Sequence, residues 1–194
     1  MYIAIEGIDT AGKSTQISAL RSNFIDAIIT KEPGATEVGK EIREMVLSAK
    51  AKSKKAEFLL FLADRAEHIT QVVKPNIASK MIISDRSAVS RVAYALVQGE
   101  IDKKELISLN DFATDRVYPE KIFLLWLTKE ELEFRLSQKE LDGIELRGSQ
   151  YLLAIQDAIV EATKLLGIQM IKIDATQSIE EITQEILKHI ESEK

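Results

Sequence analysis

Short apolar runs rich in β-branched residues alternate along this chain with stretches in which apolar side chains recur every three or four positions. The first pattern is that of strands covered on both faces. It falls at Met1–Ile5, Ala27–Thr30, Met81–Ser84, Ile122–Leu127 and Met170–Ile173. The second is helical spacing, at Lys13–Phe24, Val38–Leu47, Glu57–Val73, Val89–Val97, Lys104–Asp115, Lys129–Ser137, Ser149–Leu166 and Ile179–Glu191. Strand–helix alternation predicts an α/β fold, a five-stranded parallel sheet flanked by helices and joined by right-handed crossovers. No repeat or Pro/Gly-rich linker interrupts it, so residues 1–194 are expected to fold as one domain. Ligands of such sheets bind beyond the carboxyl ends of the strands, which directs attention to the polar segments after the first three.

Composition narrows the class. A chain that is 45% hydrophobic and 29% charged is ordinary for a globular protein. No apolar run approaches the roughly 18 residues of a membrane span, and the N-terminus is already the first strand, leaving no room for a signal peptide. The absence of cysteine excludes disulfides and thiolate metal sites. A net charge of −5 argues against a general nucleic-acid surface, and the basic stretch Lys50 to Lys55 reads as a solvated loop. A cytoplasmic protein with neither membrane nor nucleic-acid partners is expected.

Between the first strand and the first helix lies Gly7-Ile8-Asp9-Thr10-Ala11-Gly12-Lys13-Ser14, followed by Thr15. This is a complete Walker A phosphate loop in the strand–loop–helix setting that it needs. Gly7 and Gly12 allow a tight turn and a close approach of backbone N–H groups to phosphate oxygens. Lys13 supplies a charge that reaches the β- and γ-phosphates, and Ser14 a hydroxyl ligand for Mg²⁺. Residues Gly7 to Thr15 are therefore the candidate ATP-binding loop. The third strand ends Met81-Ile82-Ile83-Ser84-Asp85-Arg86, the pattern of a Walker B strand whose carboxylate assists Mg²⁺, although Asp after a strand is also common turn chemistry. Arg86 suits bidentate phosphate recognition; its plainer alternative is a surface salt bridge.

Three further segments separate kinase from switch. Thr30-Lys31-Glu32-Pro33-Gly34-Ala35-Thr36 follows the second strand, Phe58 to His68 carries Phe61 and Arg65 one helical turn apart, and Asp85-Arg86-Ser87-Ala88-Val89-Ser90-Arg91-Val92-Ala93-Tyr94 follows the third. No Asn-Lys-x-Asp element that reads guanine is present. In order and spacing these segments, together with Ile173-Asp174-Ala175-Thr176, resemble the bacterial thymidylate kinase family along nearly the whole chain. The resemblance implies a nucleoside monophosphate kinase, usually a homodimer, that transfers the γ-phosphoryl of ATP, bound with Mg²⁺, to dTMP. It implies Asp9 at the sugar 3′-hydroxyl, Phe61 stacked on thymine and Arg65 donating to a thymine carbonyl. Asp85 would assist the metal, Arg86 would hold the acceptor phosphate, and Tyr94 would pack near the deoxyribose. Glu32, with Lys31 and Pro33, would lie near the phosphates; Ser90 joins the acceptor site and Ala175 the ATP site. On the residues alone, Phe61 reads rather as a core residue among leucines, and Arg65 as a surface partner of Asp64 or Glu67. His68 and His189 have no convincing catalytic partner and read as structural or exposed.

The sequence departs from the family at four places. Ser87 replaces the usual Tyr or His. Ala95 stands where a glutamine helps to read the base, so thymine recognition must lean on Phe61, Arg65 or a residue the sequence does not identify. Gly143 replaces an arginine in the lid, residues 138–148, and Thr10 occupies the place of the arginine that some members carry in the phosphate loop. Lys139, Arg135 and Arg147 are left to meet the charge of the transferred phosphoryl, Arg135 alternatively lying on adenine. A dimer is expected through exposed apolar faces of the helices Glu57–Val73 and Val89–Val97. The rivals are a kinase of another nucleoside monophosphate and a non-catalytic nucleotide switch.

Overall fold

The computed structural model describes residues 1–48, 50–141 and 143–191; Asp142, inside the expected lid, lies outside them. Its five strands, β1 (Tyr2–Glu6), β2 (Ile28–Lys31), β3 (Ile82–Asp85), β4 (Lys121–Trp126) and β5 (Gln169–Asp174), form one parallel sheet in the order β2-β3-β1-β4-β5. Helices α1 (Lys13–Asn23), α2 (Glu37–Leu47), α3 (Lys54–His68), α4 (Ala88–Gln98), α5 (Lys103–Thr114), α6 (Lys129–Ser137), α7 (Ser149–Leu165) and α8 (Ile179–Glu191) connect and cover the strands. The predicted elements are all present, with ends within three residues of those expected except at the C-terminal end of α3. The long helix expected over 57–73 is α-helical only to His68 and continues as a π-helical turn, Ile69–Val73.

Local chemistry explains the element ends. The side chains of Thr36, Ser53, Ser87, Asp102 and Thr128 accept hydrogen bonds from first-turn N–H groups of α2, α3, α4, α5 and α6, meeting donors that have no intrahelical acceptor. The three central strands are buried throughout β1 and nearly so in β3 and β4, as continuous apolar runs predict. The edge strands differ from the expectation of cover on both faces. β2 is only partly buried, and β5 exposes Gln169, Lys172 and Asp174. An edge strand has a neighbour on one side only, so polar residues there remain in water.

A second correction concerns the expected dimer face on α4. Val89, Val92, Ala93 and Ala95 are packed into the core, because α4 lies against α7. Exposed large apolar residues lie on other helices, among them Val38, Met45 and Leu47 of α2, Leu59 of α3 and Phe112 of α5. Among the described residues no helix is long and apolar enough to cross a membrane.

Register brings the polar segments together. Ile5 of β1 pairs with Asp85, and Lys31 of β2 pairs with the same residue. The three chains therefore leave the sheet side by side, carrying the phosphate loop, Glu32 and Arg86 to one end.

Candidate active site

The phosphate loop starts at Gly7, whose φ is 150° and where a Cβ would lie 3.0 Å from the Leu125 carbonyl oxygen. Both the conformation and the space demand glycine. At Gly12 the space is open, but φ is 93° in the residue that caps α1, so the requirement is conformational alone. The first-turn N–H groups of α1 thus face the cleft, with the positive end of the helix dipole behind them. Thr10 also has positive φ, 70°, which is uncommon for a β-branched residue. Its carbonyl accepts from Arg135 Nη1 at 3.0 Å, and Arg135 Nη2 donates to the Ala175 carbonyl at 2.6 Å. Arg135 therefore ties the phosphate loop to the turn after β5, where Ala175 lies. Lys13 is buried and donates to the Ile8 carbonyl at 2.9 Å, with Asp9 3.8 Å away. Burial, aided by the charge of Arg86, lowers the Lys13 pKa to about 8. Ser14 and Thr15 are exposed at the same cleft.

Opposite the loop, Arg86 leaves β3 with φ 68° and reaches back over it. Nη1 donates to the Gly7 carbonyl and to Ser90 Oγ, each at 3.0 Å, and Nη2 pairs with Asp9. Ser90 and Ser87 in turn donate to Glu6, at 2.5 and 2.7 Å. Glu6 is fully buried, and burial raises its pKa. Ser87, the departure from the family pattern, thus both caps α4 and anchors the strand that precedes the loop. Tyr94 is half-buried and close enough to act on the Arg86 charge.

Glu32, beside Pro33 at the end of β2, is buried under α3. It accepts from Arg65 Nε at 2.8 Å and lies 2.9 Å from His68 Nδ1, while His68 Nε2 is 2.8 Å from Thr30 Oγ1. Arg65 Nη1 donates to Asn110 at 2.7 Å. Arg65 is therefore not the surface partner of Asp64 or Glu67; it belongs to a buried network, and His68 is structural. Burial pushes the Glu32 carboxyl up, but Arg65 and His68 overcome it and hold it at about 2. Asp64 accepts from the Gly34 backbone at 2.8 Å, and burial raises its pKa to about 6. Phe61 is half-buried one turn before Arg65, with the Arg91 guanidinium 4.6 Å from its ring centroid.

A cleft of about 460 Å³ gathers Asp9, Thr10 and Gly12 to Thr15, Lys31 and Glu32, Asp85 and Arg86, together with Lys139 and Glu145. Lys139 donates to the buried Glu145 at 2.7 Å. Arg147 is not among these residues; it is exposed and donates to Tyr151. Asp85 Oδ1 is buried with no hydrogen-bond partner among the described residues, and Ser14 shares its cleft. One carboxylate and one hydroxyl fit Mg²⁺, which takes few protein ligands and completes its shell with water and nucleotide phosphates.

Sequence reading missed several residues here. Arg43 lines the cleft from α2 and donates to the Pro33 carbonyl at 3.0 Å; an arginine one helix after the Glu-Pro-Gly segment was the available signal. Glu6 and Arg91 are charges inside apolar patterns, where an uncompensated charge is costly. Asn110 carried no local sign of its role.

A family model described as thymidylate kinase matches residues 5–186. The thymidylate kinase of Sulfurimonas denitrificans is 71% identical over 190 residues, covering 98% of this chain and 99% of that relative. The thymidylate kinase of Aliarcobacter butzleri is 56% identical, with 96% of each chain covered. In three dimensions the crystal structure of thymidylate kinase from Ehrlichia chaffeensis matches with a TM-score of 0.76 at 26% identity over 98% of both chains. A matched span that runs from β1 into α8, and takes in every segment gathered around the cleft, shows that this chain belongs to the thymidylate kinase family.

Proposed function

We propose that this protein transfers the γ-phosphoryl group of ATP to dTMP, giving ADP and dTDP. The observation that carries the reading is the cleft itself, where the phosphate loop faces a second set of groups suited to an acceptor. Arg86 is anchored to Gly7 and Ser90 beside Asp9, so a guanidinium is held ready for an acceptor phosphate within the same crevice. A nucleotide switch needs no such group.

The acceptor phosphate is already anionic, so the reaction requires positioning and charge stabilisation more than a strong base. Lys13 moves from its place on the Ile8 carbonyl to the donor phosphates, whose charge favours its protonated form. Arg86 aligns the acceptor phosphate for in-line attack, while Asp9 and Tyr94 take the sugar side. Phe61 stacks on the base, and Glu32 fixes Arg65 beside it. Ser14 and Asp85 are the residues that would hold Mg²⁺, which would neutralise charge on the triphosphate. Residues 138–148 act as the lid, with Lys139 as its cation toward the transferred phosphoryl and Arg135 beside the adenine. Arg147 requires movement away from Tyr151 to take part. Closing the lid excludes water and prevents wasteful hydrolysis.

We further infer a homodimer that buries Val38, Met45, Leu47 and Leu59, acting in the cytoplasm. Sedimentation at the mass of one chain across a range of concentrations refutes the dimer. The activity is tested by ADP release from ATP·Mg²⁺ with dTMP, dUMP, UMP, CMP, AMP and GMP in turn. Strong preference for dTMP is expected. Preference for another monophosphate replaces the substrate, and release that ignores all six refutes the kinase reading.

A further inference from the structure

Ala95, where the family resemblance expects a base-reading glutamine, is buried in the core and offers a base no polar group. Arg65 has Nε committed to Glu32 and Nη1 to Asn110, which leaves Nη2 for the base. Further unspent donors lie on α4, on Arg91. Its guanidinium is nearly buried, sits 4.6 Å from the Phe61 ring centroid and 5.8 Å from that of Phe58, and donates through Nη1 to Glu57 at 3.1 Å. Its Nε and Nη2 are buried and find no hydrogen-bond partner among the described residues. Two unmet donors on a buried cation are costly, and they lie against the aromatic ring proposed to carry the base.

We propose that Arg91 reads the pyrimidine, its Nε and Nη2 donating to a ring carbonyl of the base stacked at Phe61. The chemistry matches on both sides. A guanidinium is planar, stacks on flat π systems and carries donors only; thymine offers O2 and O4 as acceptors in the plane of its ring. Glu57 holds one edge of the guanidinium and leaves the other to the ligand. Arg91 thus supplies from one turn earlier on α4 the hydrogen bonding that Ala95 does not. This role rests on the proposed dTMP site, and it is specific to that site's base end, apart from the phosphate chemistry.

The test uses dTMP and its 2-thio and 4-thio analogues, in which one carbonyl oxygen becomes a poor acceptor of the same shape. Steady-state kcat/KM is measured for the three acceptors with the wild-type protein and with Arg91→Met. The variant is expected to lose about 10- to 100-fold in kcat/KM for dTMP, the range for a hydrogen bond to a charged group. At least one thio substitution should cost the wild type about tenfold or more, and that penalty should collapse in the variant. Partial unfolding lowers all three rates together and leaves the ratio intact, so a merely structural role does not produce the collapse. If Arg91→Met is insoluble, Arg91→Lys keeps a cation against Glu57 and is expected to shrink the same ratio, because its single ammonium lacks the fixed fork. Thio penalties that are unchanged in the variants overturn the role of Arg91 alone. A wild-type protein that turns over no dTMP overturns the acceptor reading and this inference with it.

Discussion

Replacing Glu32 by glutamine keeps the shape of the Arg65–His68–Asn110 network and removes its negative charge. Arg65 is 2% exposed, and the carboxylate stands 2.8 Å from its Nε and 2.9 Å from His68 Nδ1. The fold holds the Glu32 carboxyl at about 2 against an ordinary value of 4.5. That drop, at about 1.36 kcal/mol per pH unit, is worth about 3 kcal/mol. It agrees with the roughly 3–5 kcal/mol lost when one member of a buried ion pair is deleted. For a chain of this size the variant should melt about 10 °C lower. Because the folded-state value is depressed, the stabilisation is complete above pH 4.5 and fades as pH falls toward about 2. The gap between wild type and Glu32→Gln should therefore narrow by about 1.4 kcal/mol between pH 7 and about pH 3.5. Urea unfolding followed by the fluorescence of Trp126, the single tryptophan, measures both. A gap below about 1 kcal/mol at pH 7, or one of the same size at both pH values, refutes the reasoning.

Lys13, lowered to about 8 by burial and Arg86, should make kcat/KM for ATP fall about tenfold per pH unit above that value; a profile flat to pH 10 contradicts it. At Gly39 a Cβ would meet Asp64 Oδ1 at 2.5 Å and Thr36 Oγ1 at 2.9 Å, so Gly39→Ala should cost about 1–3 kcal/mol. A melting temperature equal to or above that of the wild type sinks this packing argument. Lys139 lines the cleft while Arg147 is turned onto Tyr151, so Lys139→Ala should lower kcat by about 100-fold and by more than Arg147→Ala does. Steady-state kinetics with both variants decides the order, and a larger loss at Arg147 assigns the lid cation to that residue.

Local chemistry made the fold readable. Each strand announced itself by β-branched apolar residues, and the phosphate loop by glycines whose positive φ no other residue adopts easily. What depends on three-dimensional packing was harder to read. Nothing in the run around Val89 and Val92 says that α4 is covered by α7, because the apolar stripe of a buried helix and that of a dimer face are the same pattern. Arg65 looked like one charge among neighbouring acids, yet its partners are Glu32 and Asn110, 33 and 45 residues away. The proposed lid is legible only as a run of charges, and the burial of Glu145, which accepts from Lys139, is a tertiary fact. Arg91 had a signal, a charge within an apolar helical pattern, whose meaning emerged only once Phe61 lay beneath it.

The central claim is phosphoryl transfer between two nucleotides held in this cleft, and the fate of the γ-phosphate tests it most directly. With ATP labelled at that position and dTMP as acceptor, chromatographic separation of the products should place the label in dTDP, in equal amount to the ADP formed. Label recovered as inorganic phosphate, or left in ATP at every dTMP concentration, would contradict the account.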